Sequence, residues 1–260
     1  MKNTALILAA LVASVSLIGE EAAAPSSSWV VTPSFASQYM FRGTRLGGPA
    51  FQPSVEYDQG NFAAGIWSNV PLKDKVIGQS DPELDFYGSY STEVAKNLTV
   101  VPGITVYYYP NADRTNGFYK STYEPNIALN YSIESSLGVL KLTPKLYYDF
   151  ILKGPTAEFT AAFTVPLKDI SSELDFTGTY GSFKWKDYAP NNTPDIKNWG
   201  DYYLLGVAMP FQVSKASKLT VGFAYTKGSN NYLKQGTDAK VLNSAAVGRG
   251  VVTLSYAITF

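Results

Sequence analysis

The chain has no histidine and no cysteine among its 260 residues. Without cysteine there can be no disulfide, no thiolate metal site and no thiol nucleophile. Without histidine the usual general base, the usual zinc ligand and the base of Ser-His or Asp-His hydrolytic sites are missing together. No Gly-rich phosphate loop or catalytically spaced carboxylate pair replaces them, so neither enzymatic chemistry nor a cofactor is expected. An excess of charge of either sign is lacking too: 21 basic and 21 acidic residues leave a net charge of zero. Nucleic-acid binding, which needs a basic face, is therefore not expected. Beyond the N-terminal segment no apolar run approaches the roughly 18 residues of a membrane helix.

What is present is alternation. The last ten residues, Val251 to Phe260, place Val252, Leu254, Tyr256, Ile258 and Phe260 on one side of a strand. Val251, Thr253, Ser255, Ala257 and Thr259 fall on the other, because side chains alternate across a strand. One row suits lipid and the other a wet interior. Aromatic residues make up 14% of the chain, enough to supply the girdles of a membrane barrel. The chain begins with Lys2, an apolar run from Ala5 to Ile18 and Ala22-Ala23-Ala24, which reads as a secretory signal over residues 1–24. Residues 25–260 are then the mature domain, although Pro25 makes the cleavage point irregular.

Twelve segments share the two-residue period. Among the clearest are Leu219–Tyr225, Tyr203–Phe211, Ile127–Ile133 and Phe159–Val165; Trp29–Phe41 and Glu83–Val94 are weaker. Short connections (Asp58–Asn61, Ala95–Asn97, Glu134–Leu137, Val165–Ser172, Gln212–Ser217) alternate with long ones (Gly43–Ala50, Pro71–Pro82, Pro110–Ser121, Trp185–Gly200, Lys227–Gly248). The pattern predicts an all-β fold: a single antiparallel transmembrane β-barrel of about 12 strands in a bacterial outer membrane, with short periplasmic turns and longer extracellular loops. Pro33, Pro53, Pro102, Pro144 and Pro210 fall inside predicted strands and are expected at bulges or strand ends. Val70-Pro-Leu-Lys-Asp74 and Val165-Pro-Leu-Lys-Asp169 are alike, but the strand count puts them at opposite ends of the barrel, which argues against a duplication.

Five stretches carry a resemblance: Ser37-Gln-Tyr-Met-Phe-Arg-Gly43, Pro49-Ala-Phe-Gln52, Phe62-Ala-Ala-Gly-Ile-Trp-Ser-Asn69, Glu83-Leu-Asp-Phe-Tyr-Gly88 and Tyr107-Tyr-Tyr-Pro110. In this order the region 35–110 resembles the TorF-type family of uncharacterised bacterial outer-membrane proteins regarded as porins. That resemblance implies a modest outer-membrane barrel with porin activity and supplies no substrate. The terminal aromatic strand resembles the assembly signal of such barrels. Expected partners are outer-membrane lipids and lipopolysaccharide, the barrel assembly machinery through the Phe260 strand, and small hydrophilic solutes.

Twelve strands lie between barrels filled by side chains and wide porins. On the inward row the expected pore-lining charges are Glu56, Glu83, Asp85, Asp149, Glu158, Glu173 and Asp175, against Arg42, Lys141 and Lys145. Acids prevail, which favours cations in a passive channel. The alternatives are a non-conducting structural or surface-binding barrel, whose charges pair across the lumen, and a secreted soluble β-sandwich. Arg42, near the outer end of the first strand, is read either as a constriction residue or as a partner of Glu83 or Asp85. Asp81, Glu83 and Asp85 could suit calcium, yet their ligand set is incomplete and no metal is expected. Trp29, Trp67, Trp185 and Tyr107–Tyr109 are read as girdle or loop packing ahead of sugar stacking. Barrel phospholipases, lipid A deacylases and omptin-type proteases need a His that this chain lacks. An Arg at Leu254 or Val221 should be costly in lipid, and one at Ala224 far milder.

Overall fold

A computed structural model describes residues 27–74, 81–112, 119–186, 197–229 and 248–260. The expected leader and most of the Lys227–Gly248 loop lie outside these residues. The strands come in chain order. The first six are β1 (Ser27–Thr32), β2 (Ser34–Ala36), β3 (Tyr39–Phe41), β4 (Thr44–Gly47), β5 (Ala50–Phe51) and β6 (Ser54–Gln59). Then come β7 (Phe62–Pro71), β8 (Glu83–Tyr90), β9 (Thr92–Ala95), β10 (Leu98–Tyr108), β11 (Ser121–Ser135) and β12 (Gly138–Asp149). The last five are β13 (Gly154–Leu167), β14 (Ser172–Lys186), β15 (Lys197–Ser214), β16 (Ser217–Gly228) and β17 (Arg249–Thr259).

β1 and β2 form one wall strand broken at Pro33, β5 and β6 one broken at Pro53, and β8 and β9 one broken at Ser91. With each of these counted once and β3 and β4 set aside, the wall has twelve antiparallel strands. β17 closes it on β1 and β2, with Thr259 opposite Val30 and Leu254 opposite Phe35. Trp29 and Phe260 complete the seam through mutual backbone hydrogen bonds of 3.2 and 2.9 Å. Closure removes the sheet edge, so every strand has two neighbours in a medium that offers no other partner. A β-sandwich is thereby ruled out.

The prolines fall where a donor can be spared. Pro33 and Pro53 sit in the strand breaks, and their carbonyls still accept from Tyr256 and Ser68 at 3.0 Å. At Pro144 the ladder to β11 lapses, and at Pro210 the ladder to β14 lapses. The two Val-Pro-Leu-Lys-Asp stretches leave β7 and β13 at opposite ends of the barrel, where a duplication would put both at the same end.

Phe35, Ile66, Phe86, Ile104, Leu129, Phe159, Leu205, Phe223 and Leu254 stand on the outside, each more than a third exposed in the isolated chain. Residues of opposite parity on the same strands, Ala36, Ala63, Ala128, Ala208, Ala224 and Val251, are buried inside. This inversion is what lipid demands of a barrel exterior.

Sequence and structure part at Ser37. The first strand does not continue to Phe41. Instead β3 and β4 form a separate hairpin, pairing only with each other, with Phe41 opposite Thr44. Arg42 and Gly43 make its two-residue turn with φ of 46° and 74°. Positive φ at both central positions defines a type I′ turn, the form whose twist matches a hairpin. Tyr39 and Met40 of this hairpin are among the most buried side chains, so it lies inside the barrel. A Cβ on Gly43 would strike the backbone of Gly228 at the end of β16, so only glycine fits the hairpin tip against the wall.

Candidate functional site

The candidate site is the bore where the hairpin enters it. Arg42 is the centre. Its guanidinium donates to both carboxylate oxygens of Glu124 at 2.7 and 2.9 Å. Phe41, Tyr147 and Trp185 surround it, with ring centroids 4.8, 4.8 and 5.0 Å from the guanidinium carbon. A bidentate fork and flanking aromatic faces are the environment arginine suits and lysine does not. Left-handed φ is costly for arginine, and it persists where surrounding contacts fix the conformation.

Phenol hydroxyls serve the other carboxylates. Tyr39 and Tyr109 donate to Glu83 at 2.5 and 2.8 Å, and Tyr107 donates to Glu124 at 2.9 Å. Tyr87 donates to Glu56 at 2.9 Å, and Tyr202 to Glu158 at 2.5 Å. These last two bonds share one construction. Glu56, Gly65 and Tyr87 occupy one rung of three adjacent strands, as do Glu158, Gly181 and Tyr202. The middle glycine leaves room for the tyrosine to lie across it and reach the acid beyond.

The remaining expected charges are inside as well. Lys145 lies over the Tyr147 ring at 4.6 Å, and Lys141 is half-buried on the same strand face. Asp175 accepts from Thr164 at 2.6 Å, and Glu173 is half-buried one inward position away. Asp149 is held in its own turn, accepting from Thr122 and from the backbone of Ile151 and Leu152 at 2.6 to 2.8 Å. Leu152 then packs with Phe183, Trp185 and Tyr202. Asp85 is buried, and its Oδ1 has no hydrogen-bond partner.

Two readings are refined, and one inward residue was missed. Arg42 pairs with Glu124 and not with Glu83 or Asp85, because the hairpin carries it away from the first strand and toward β11. Glu124 itself belongs to the inward row: it has the parity of Asn126 and Ala128, continued past Pro125 into what reads as loop margin. Of the aromatic residues read as girdle or loop packing, Trp67, Trp185 and Tyr107 are 4 to 6% exposed and pack against the inward-folded hairpin, whereas Trp29 stands outside, as does Trp199. Among the described residues no group of three or more acidic side chains is placed to hold a metal ion, and Asp81, Glu83 and Asp85 do not form a calcium cage.

The bore is graded along its length. At the hairpin level Tyr39, Trp67, Glu83, Tyr107, Glu124, Tyr147, Trp185 and Tyr202 are all buried. Toward the short turns Asn130, Thr160, Ala162, Thr177, Thr179 and Gly206 are small and keep accessible surface, beside the longer Lys141 and Glu173 and the buried Thr143 and Asp175. The arrangement sets small polar side chains on one side of a charged, aromatic layer.

Residues 22–145, a little under half of the chain, match a family described as a bacterial protein of unknown function (Gcw_chp). The match takes in the hairpin, Glu83, Asp85 and Glu124; Glu158 and Tyr202 lie beyond it. No curated protein matches the sequence. Among solved structures, the NanC porin is 10% identical with a TM-score of 0.50, covering 88% of this chain and 98% of its own. The COG4313 outer membrane channel from Pseudomonas putida F1 is 9% identical with a TM-score of 0.51, covering 93% and 97%. LpxR from Salmonella typhimurium is 8% identical with a TM-score of 0.50, covering 90% and 99%. At such identities the likeness establishes the fold. With the closed twelve-stranded wall and its apolar exterior, it gives this chain the fold of the β-barrels of the bacterial outer membrane.

Proposed function

We propose that the barrel is a passive channel for small hydrophilic solutes, weakly preferring cations, and that it performs no chemical reaction. The observation that carries this reading is the graded bore, in which small polar side chains with accessible surface lead to a constriction of acids and one arginine. Carboxylates outnumber the lysines and the arginine around the interior, and acidic rings favour cations. Its lipid partners would meet the apolar exterior, and the assembly machinery the Phe260 strand.

Liposome swelling with sugars of graded size tests conduction, and reversal potentials under a salt gradient test selectivity. Swelling with small sugars and a cation-selective potential are expected. Clear anion preference would defeat the selectivity. Absence of both swelling and current would favour a second reading, a barrel sealed by its own hairpin. The bidentate Arg42–Glu124 pair supports that second reading, since it ties the hairpin to the wall.

A further inference from the structure

We infer that Asp85 is the anchor of a binding site for a small monovalent cation inside the bore. Its carboxylate is 3% exposed, and Oδ1 is buried without a hydrogen-bond partner. The neighbouring donors are engaged elsewhere. Tyr39 and Tyr109 serve Glu83, and Tyr107 and Arg42 serve Glu124. Among the described residues no lysine or arginine forms an ion pair with Asp85. A buried carboxylate that lacks both donor and counter-charge is strongly destabilising. Something positive must accompany it, either a bound cation or a proton.

The surroundings suit a cation. On one rung of the wall Asp85 stands between Trp67 on β7 and Tyr107 on β10. The Tyr39 ring packs on Trp67 at 5.8 Å from the hairpin side. Glu83, two residues away on the same strand face, adds a second carboxylate whose oxygens are already ordered by phenols. A carboxylate flanked by aromatic rings is the chemistry that receives an ammonium group or an alkali-metal ion. The acids here do not make a three-carboxylate cage, so a divalent ion is not the occupant inferred. The site is an equilibrium property of the folded barrel and does not depend on conduction.

The test uses the full chain refolded in detergent micelles, with unfolding followed by temperature at constant ionic strength. The bulky cation N-methylglucammonium is replaced stepwise by potassium or by methylammonium. A ligand bound only by the folded state raises Tm, by about 3 °C or more at tenfold excess over Kd in a chain of this size. The wild-type protein should show that rise. Asp85→Asn should not, while Glu93→Gln, an exposed acid on β9, should keep it. A rise with both ions assigns a general monovalent site, and a rise with methylammonium alone assigns an organic ammonium site. A flat wild-type response, or one that Asp85→Asn retains, overturns the inference and leaves Asp85 a protonated acid. Should Asp85→Asn fail to fold, calorimetric titration of the wild-type barrel decides: saturable heat with either ion supports the site, and none with both refutes it.

Discussion

Tyr202 reaches Glu158 by lying across Gly181, which sits between them on the intervening strand. A Cβ at Gly181 would collide with the tyrosine ring. Gly181→Ala should therefore displace Tyr202, leave Glu158 Oε2 without its donor and cost about 1–3 kcal/mol, the usual penalty of overpacking. The same substitution at Gly178, where only ordinary contact with Leu205 awaits, should be near neutral. Urea midpoints of the two variants in lipid vesicles provide the comparison.

Arg42→Ala removes one partner of a buried ion pair and leaves Glu124 without its cation. Such losses cost about 3–5 kcal/mol while the remaining charge stays buried. The hairpin should relieve that cost by leaving the constriction, so single-channel current should rise. Arg42→Lys should restore charge without the bidentate fork and recover only part of the wild-type behaviour. Unchanged current and selectivity in Arg42→Ala would confine Arg42 to a structural role.

Leu254 faces lipid near the middle of β17, and an Arg there should cost about 2–4 kcal/mol. Alternation suggests Ala224 as the mild inward counterpart, but it is fully buried near the hairpin level and has no room for a guanidinium. The suitable comparison is Thr177, inward, partly accessible and flanked on its rung by Ala162 and Gly206. Thr177→Arg should be far milder than Leu254→Arg. Equal losses of folding stability would contradict the assigned faces.

Phe260 closes the seam through its backbone while its ring points outward, 72% exposed. Phe260→Ala keeps those hydrogen bonds, so the refolded barrel should have an almost unchanged midpoint. In cells the same variant should accumulate unassembled, seen as loss of the compact heat-modifiable band on gels. Normal assembly in cells would remove Phe260 from the recognition step.

The exterior was legible because lipid imposes one rule on every strand: a one-residue slip would turn Thr and Glu toward hydrocarbon. The inward acids followed from the same parity. The hairpin was not legible, because Tyr39, Met40 and Phe41 extend the weak apolar pattern of Trp29–Phe41 with no turn signal before Arg42. Its Arg-Gly turn also lacks the Asn-Gly or Asp-Gly signature of a type I′ hairpin. The tyrosine bridges were hidden for another reason. They depend on which residues share a rung across three strands, and that register rests on ladder positions perturbed by proline.

The hairpin is tethered at one mouth only, through β2 and β5, and so makes the two openings unequal. In the channel reading, a molecule arriving by the turns would meet small, partly accessible side chains before the hairpin barrier. One arriving from the opposite side meets the barrier at once. Flux at equilibrium is balanced whatever the route, but waiting times are not, and the barrel would work as a trap when approached from one side and as a sieve from the other.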